Sequence, residues 1–240
     1  QGLADYLNNI YKGNISVAIA YDSRNKSQEF AKTAALTLCG NNIKVYLFKS
    51  LRPTPILSYA VRRLCCSSGI VITASHNPKE YNGCKVYGED GAQITDISAN
   101  AIFKCIKSIE KFEDIKCIEE SSALEKQLLI YIDDEIDEQY IASVKDIILR
   151  KDLVKSSSRE LKIIYTPLHG TGNIPVRRTF SELGYEQLFI VKEQQEPDDN
   201  FSTVIYPNPE DPKAFSLALD LAKNINPDII LATDPDCDRI

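Results

Sequence analysis

The sequence predicts an α/β protein of two consecutive layered domains, each a mainly parallel sheet built in the order β-α-β-α-β, with the second domain truncated. Three observations carry that expectation. Short apolar runs of strand length, such as Ile15 to Tyr21, Ile43 to Phe48 and Gly69 to Ile72, alternate with stretches of helical apolar spacing. A β-α-β order requires parallel strands whose faces are covered by helices. The alternation stops at the polar stretch Lys155 to Arg159 and then begins again. The domains are therefore expected at 1–157 and 158–240.

In chain order, Leu3, Tyr6, Leu7 and Ile10 recur at helical spacing and read as the end of a helix begun upstream. Strand Ile15 to Tyr21 runs into Asp22-Ser23-Arg24. Ser27 is the expected N-cap of a helix through Leu38, and Gly40 its C-terminal stop. After strand Ile43 to Phe48, Pro53-Thr54-Pro55 opens a helix with Leu57, Val61 and Leu64 on one face, leading to strand Gly69 to Ile72. Tyr81-Asn82-Gly83 is a turn before a short strand, Cys84 to Tyr87, with Gln93 and Ile94 pairing back after a second turn. Thr95 or Asp96 caps a helix whose expected inner face is Ile97, Ala101, Ile102, Cys105, Ile106 and Ile109. A further helix spans about 134–149, and the acidic start from Asp133 to Glu138 reads as charge complementing its N-terminus rather than as a metal site. Beyond the polar stretch come strand 161–165, helix 175–183, strand 187–191, helix 212–225 and strand 229–232.

Bulk properties exclude several classes. With 240 residues, 43% of them hydrophobic, the chain is globular rather than disordered. A formal net charge of -6 argues against a general nucleic-acid binder. No apolar stretch is long enough to span a bilayer and no signal peptide is visible, so no membrane partner is expected. Seven cysteines without paired C-x-x-C spacing point away from a zinc or disulfide framework and towards a reducing, cytoplasmic setting. The sequence begins at Gln1, contains no Met and stops just after an acidic motif, so it is expected to be part of a longer chain. Nothing in it specifies an oligomer.

Two strand-end loops carry chemistry. Thr73-Ala-Ser-His-Asn-Pro78 follows the strand ending at Ile72, which places Ser75 where α/β sheets bind ligands. Its hydroxyl is a candidate nucleophile, and a polar turn explains the six residues equally well. Asp234-Pro-Asp-Cys-Asp-Arg239 follows the last strand. Three carboxylates alternating over five residues repel one another unless a hard divalent cation joins them, and oxygen ligands suit Mg²⁺. An EF-hand fits poorly, because Arg239 stands where its loop needs Gly and a strand precedes. A dehalogenase-type phosphatase would use Asp234 as nucleophile, but its pattern continues to Thr where this chain has Asp238.

Together these loops resemble the α-D-phosphohexomutase superfamily of phosphoglucomutases and phosphomannomutases. The resemblance rests on residues 73–78, on Tyr81-Asn82-Gly83 leading to Lys85, on Pro167-Leu-His-Gly-Thr-Gly172, on Pro207-Asn-Pro-Glu210 and on 234–239. It covers nearly the whole chain, and the Asp-Pro-Asp form of the acidic loop is most similar to the phosphoglucomutase and phosphopentomutase branch. It implies an isomerase in carbohydrate metabolism that moves phosphate between the 1- and 6-positions of a sugar, with glucose first. Ser75 would be the phosphorylated residue and a bisphosphorylated sugar the intermediate. Mg²⁺ would lie between Ser75, Asp234, Asp236 and Asp238, and glucose 1,6-bisphosphate would act as activator. Lys85 is then the candidate general acid/base or phosphate counter-charge, and His76 and Arg239 the contacts of the phosphoserine. Asp22 and Arg24 read as loop scaffolding, and His169 as structural. Phosphopentomutase, phosphomannomutase and glucose 1,6-bisphosphate synthase keep the same chemistry, and a silent sugar-phosphate-binding protein is the alternative outside catalysis. The superfamily's upstream arginine loop and its third- and fourth-domain loops are not found here, so these residues alone are expected to turn over little.

Overall fold

In a computed structural model describing residues 1–240, the first half of the chain forms a five-stranded sheet. Its strands are β1 (Ser16–Tyr21), β2 (Lys44–Phe48), β3 (Ser68–Ile72), β4 (Cys84–Gly88) and β5 (Leu129–Ile132), in the order β4-β3-β1-β2-β5. All neighbours are parallel except β4, which runs antiparallel to β3 at the edge. The two-residue period of the strands divides the core. Val17, Ile19 and Tyr21 of β1 face α1 (Gly2–Ile10) and α2 (Ser27–Gly40), where they pack with Leu7, Ala35 and Leu38. Ala18 and Ala20 face the opposite way, against Ile56, Leu57 and Val61 of α3 (Thr54–Arg63). Small residues on this face let α3 sit close: a Cβ at Gly69 would lie 2.5 Å from Cγ2 of Val61.

Between β4 and β5 the chain forms α4 (Asp96–Lys107) and the short α5 (Glu120–Glu125); α6 (Asp134–Asp146) and α7 (Lys151–Ser157) follow β5. The second half builds a three-stranded parallel sheet, β7-β6-β8, from β6 (Ile163–Thr166), β7 (Leu188–Ile190) and β8 (Ile229–Ala232). It is joined by α8 (Asn173–Glu182) and α9 (Ser216–Ile225), the latter entered through a 3-10 turn at Pro212–Phe215. No helix is long and apolar enough to cross a membrane.

Several expectations need correction. The polar stretch 155–159 is partly helical: α7 runs into it as far as Ser157, and the hydroxyls of Ser156 and Ser157 both donate to the Leu153 carbonyl inside the helix. Ser27 does not cap α2; its hydroxyl donates to Asp22 instead, and Lys26 takes the left-handed backbone ahead of the helix. Of the expected inner face of α4 only Ile102 is buried; Ala101, Cys105 and Ile109 are half-buried, and Ile97 is 84% and Ile106 47% exposed, because α4 lies on α1 rather than on the sheet. The acidic start of α6 does more than complement a helix end. Asp137 accepts from Arg52 Nε at 3.0 and 2.9 Å and Asp133 accepts from its Nη2, so this cluster already has its counter-ion. Strand β5, parallel to β2, occupies a run for which no strand was expected.

Candidate active site

Because β1 and β3 are adjacent and parallel, their carboxyl ends bring Asp22–Arg24 beside Thr73–Asn77. The buried Asp22 carboxylate accepts from Thr73 Oγ1 at 2.7 Å, Ser27 Oγ at 2.8 Å and the Arg24 backbone at 3.0 Å. Burial pushes its pKa up, and those donors pull it back. Arg24, whose Nε lies 3.2 Å from Asp22, spends its other two nitrogens on the loop itself. Nη2 donates to the carbonyls of Ser75 (2.6 Å) and Asn77 (2.5 Å), and Nη1 to those of Pro78 (2.8 Å) and Tyr81 (2.9 Å). A planar, permanently charged fork suits this task as a lysine would not. Ser75 is held in the left-handed region at φ 55°, its N–H donating to Thr73 Oγ1 at 2.8 Å. A non-glycine residue persists there only when its surroundings over-determine it.

The acidic loop arrives from the second sheet. The Ser75 hydroxyl donates to Asp234 Oδ2 at 2.8 Å, across 159 positions of sequence. Asp234 Oδ1 accepts the backbone N–H groups of Asp238 and Arg239, each at 3.1 Å, so both oxygens are fixed in place by hydrogen bonds. Burial, and then the charge of Asp236, push the Asp234 pKa up to about 7. Asp236 is fully buried; its Oδ2 accepts from Thr54 Oγ1 at 3.0 Å and Lys85 Nζ at 2.8 Å. The loop is seated on Pro167–Gly172: Thr171 N–H donates to the Pro235 carbonyl at 2.8 Å, and a Cβ at Gly170 would lie 2.5 Å from Pro235 Cα.

Lys85 reaches from edge strand β4 to bridge Asp236 and, at 2.7 Å, Asp238. Burial works against its ammonium, but the two carboxylates outweigh it and raise the pKa above that of a free lysine. In this arrangement Lys85 is a fixed cation rather than a base. His76 Nδ1 lies 3.3 Å from Ser75 Oγ, and burial together with the neighbouring Arg239 lowers its pKa. Arg239 lines the same cleft, yet its guanidinium pairs with Glu210 at 2.8 Å and makes no bond to Ser75. His169 lies among different neighbours, Nδ1 against the Glu196 carbonyl at 3.0 Å and Nε2 against Thr203 Oγ1 at 2.8 Å, which occupies both ring nitrogens. The cleft over Ser75 and Lys85 has a volume of about 490 Å³. A larger hollow of about 770 Å³, between α6, α7 and the end of α8, contains none of the strand-end motifs.

The donor set fits a cation. Carboxylate oxygens of Asp234, Asp236 and Asp238 lie within 4.8 Å of one another, and Asp236 Oδ1 is buried with no hydrogen-bond partner. An unpartnered buried carboxylate oxygen is costly unless a positive ligand takes it. Thr54, which bonds Asp236, and Thr73, which bonds Asp22 and the Ser75 N–H, carry no mark of these roles in the sequence. A threonine opening a helix carries no mark that it will meet a residue in another sheet.

Comparison with known proteins agrees with this layout. Residues 1–113 match the family model for phosphoglucomutase/phosphomannomutase, alpha/beta/alpha domain I, and residues 138–240 match that for domain II. The chain is 43% identical over 242 residues to a phosphoglucomutase of Staphylococcus epidermidis and 39% identical over 239 residues to one of Staphylococcus saprophyticus. Each alignment uses all of this chain and 42% of the relative, so the chain spans less than half the length of these curated relatives. Among solved structures, a Thermus thermophilus protein assigned as a phosphomannomutase superposes with a TM-score of 0.83 at 27% identity, over 99% of this chain and 50% of that one. Two family domains in succession, with the serine loop carried by the first and the acidic loop by the second, mean that this chain belongs to the phosphoglucomutase/phosphomannomutase family.

Proposed function

We infer that the protein is an intramolecular phosphotransferase of the phosphoglucomutase type, interconverting the 1- and 6-phosphates of a sugar, with glucose first. The observation that carries this is the Ser75 hydroxyl, held in a strained backbone and hydrogen-bonded at 2.8 Å to an aspartate of a three-carboxylate loop, at the floor of an open cleft. In this mechanism, phosphorylated Ser75 gives its phosphoryl group to a hydroxyl of the bound sugar phosphate. The serine O–P bond breaks, a sugar O–P bond forms, the proton lost by the attacking sugar hydroxyl is balanced by one gained on the Ser75 oxygen, and the bisphosphorylated sugar turns over to return its other phosphate to Ser75. Asp234, Asp236 and Asp238 would hold Mg²⁺, which when bound neutralises charge on the transferring phosphoryl group. Lys85 supplies a second, tethered positive charge and can donate a proton to the departing oxygen. His76 can donate from Nδ1 to an oxygen on Ser75, and Arg239 has to leave Glu210 before it meets a phosphate. Arg24 and His169 serve as scaffolds of their loops.

The curated Staphylococcus relatives named phosphoglucomutase support glucose as the first substrate to test. Seven free cysteines fit a reducing, cytoplasmic setting. The change of sheet between β5 and β6 supports two domains, with the division at 157/158 placed after α7, although the match to domain II already begins at residue 138. The test is to incubate the protein with glucose 1,6-bisphosphate and map the phosphorylated residue by peptide mass spectrometry. Label on Ser75 that disappears in Ser75→Ala is the expected result. Label on Asp234, or label that persists in Ser75→Ala, overturns the assignment.

A further inference from the structure

We propose that Thr54 is a positioning residue that sets which oxygen of Asp236 faces the cation, an inference resting on the reading of the acidic loop as a metal site. Thr54 is the first residue of α3 and is 6% exposed. Both of its donors go to one residue 182 positions further along: the N–H to the Asp236 main-chain carbonyl at 2.9 Å, and the hydroxyl to Asp236 Oδ2 at 3.0 Å. Lys85 Nζ meets that same oxygen at 2.8 Å, which leaves Oδ1 buried and without a partner.

Rotation about the last bond of an aspartate is broad and two-fold, so an unrestrained Asp236 could present either oxygen. Lys85 alone does not remove that freedom, because its ammonium is a point charge on a flexible stem and is shared with Asp238. Thr54 does remove it. Its hydroxyl stands on a rigid helix end, and the partial positive charge there favours the ionised carboxylate.

The helix end is itself fixed. Arg52, two residues earlier, donates its backbone N–H to the Tyr21 carbonyl at 3.1 Å and its guanidinium to Asp137 of α6 and to Asp133 just before that helix. Thr54 therefore carries the geometry of the first sheet into the acidic loop of the second. Cation affinity depends on how the two halves dock as well as on the three carboxylates.

Mn²⁺ binding followed by electron paramagnetic resonance tests this, alongside urea unfolding of the metal-free proteins. Thr54→Val keeps the shape and removes the hydroxyl, and Thr54→Ser restores it. The expected result is a dissociation constant raised roughly 10- to 100-fold in Thr54→Val and changed less than about 3-fold in Thr54→Ser, with unfolding midpoints that agree. Thr54→Ala makes the same comparison if the valine variant does not fold. Unchanged Mn²⁺ affinity in Thr54→Val overturns the inference while leaving the metal site standing, as does equal weakening by serine and valine. Failure of the unsubstituted protein to bind Mn²⁺ would overturn the metal-site reading, and this inference with it.

Discussion

Replacing Arg24 by methionine keeps most of its volume and removes one guanidinium that holds four carbonyls of the Ser75 loop. Hydrogen bonds from a charged donor contribute roughly 1.5–3 kcal/mol each, so four taken singly would total roughly 6–12 kcal/mol. That figure is too large. Three of the four carbonyls are only part-buried, and water can replace the donor there. The Asp22 carboxylate also retains the hydroxyls of Thr73 and Ser27 and the Arg24 backbone N–H. What remains is loss of the ion contact beside a fully buried Asp22, plus the buried Ser75 carbonyl, which places the cost near that of breaking a buried pair, about 3–5 kcal/mol. Urea unfolding monitored by circular dichroism measures the global cost, and amide hydrogen exchange at Thr73, Ser75 and Asn77 reports whether the loop opens before the sheet does. A loss below about 1 kcal/mol, with exchange in the loop unchanged, would refute the claim that Arg24 holds Ser75 in its left-handed backbone.

Three other outcomes are expected. Lys85→Met removes a cation from Asp236 and Asp238 and should tighten Mn²⁺ binding by roughly 10-fold in an equilibrium titration; weaker binding would mean Lys85 organises the carboxylates more than it competes for them. Gly170→Ala forces a methyl against Pro235 and should cost about 1–3 kcal/mol in urea unfolding while weakening Mn²⁺ binding, whereas a silent alanine would show that the acidic loop is not seated on 167–172. Asp198 is held down to about 2, first by its bond to the Ser202 hydroxyl and then by the backbone groups of Ser202 and Asn200. A folded pKa below the unfolded one stabilises above the ordinary carboxylate range and loses that contribution as pH falls towards 2. Asp198→Asn should therefore be less stable than the parent near neutral pH and converge with it in acid, by less than about 1 kcal/mol because the group is largely solvated. A difference that grows on acidification would contradict the sign.

Contiguous motifs were legible in the amino-acid sequence. Ser75, Lys85 and the three aspartates stand out because each lies in a short run whose residue types and spacing already restrict the chemistry, and β1 to β4 because apolar runs between turn residues have few other readings. Less of the periphery was legible. The run at 128–132 is as apolar as β2, but it sits beside a helix-rich stretch, and only its register against β2 makes it a strand. The apolar spacing of α4 predicted a buried face, yet α1 already covers the sheet there and leaves Ile97 in solvent.

The sequence by itself determined which groups can do chemistry: a serine at a strand end, a lysine ten residues on, and an acidic loop that needs a cation. Tertiary structure alone decided their partners. Asp234 receives the Ser75 hydroxyl across 159 positions and Asp236 that of Thr54 across 182, while Arg239 turns to Glu210 and His169 to Thr203. Local sequence biases backbone shape and supplies donors and acceptors over a few residues. Pairings this long depend on strand order and on the docking of two sheets, which are set by burial summed over the whole chain and leave no mark at the residues they join.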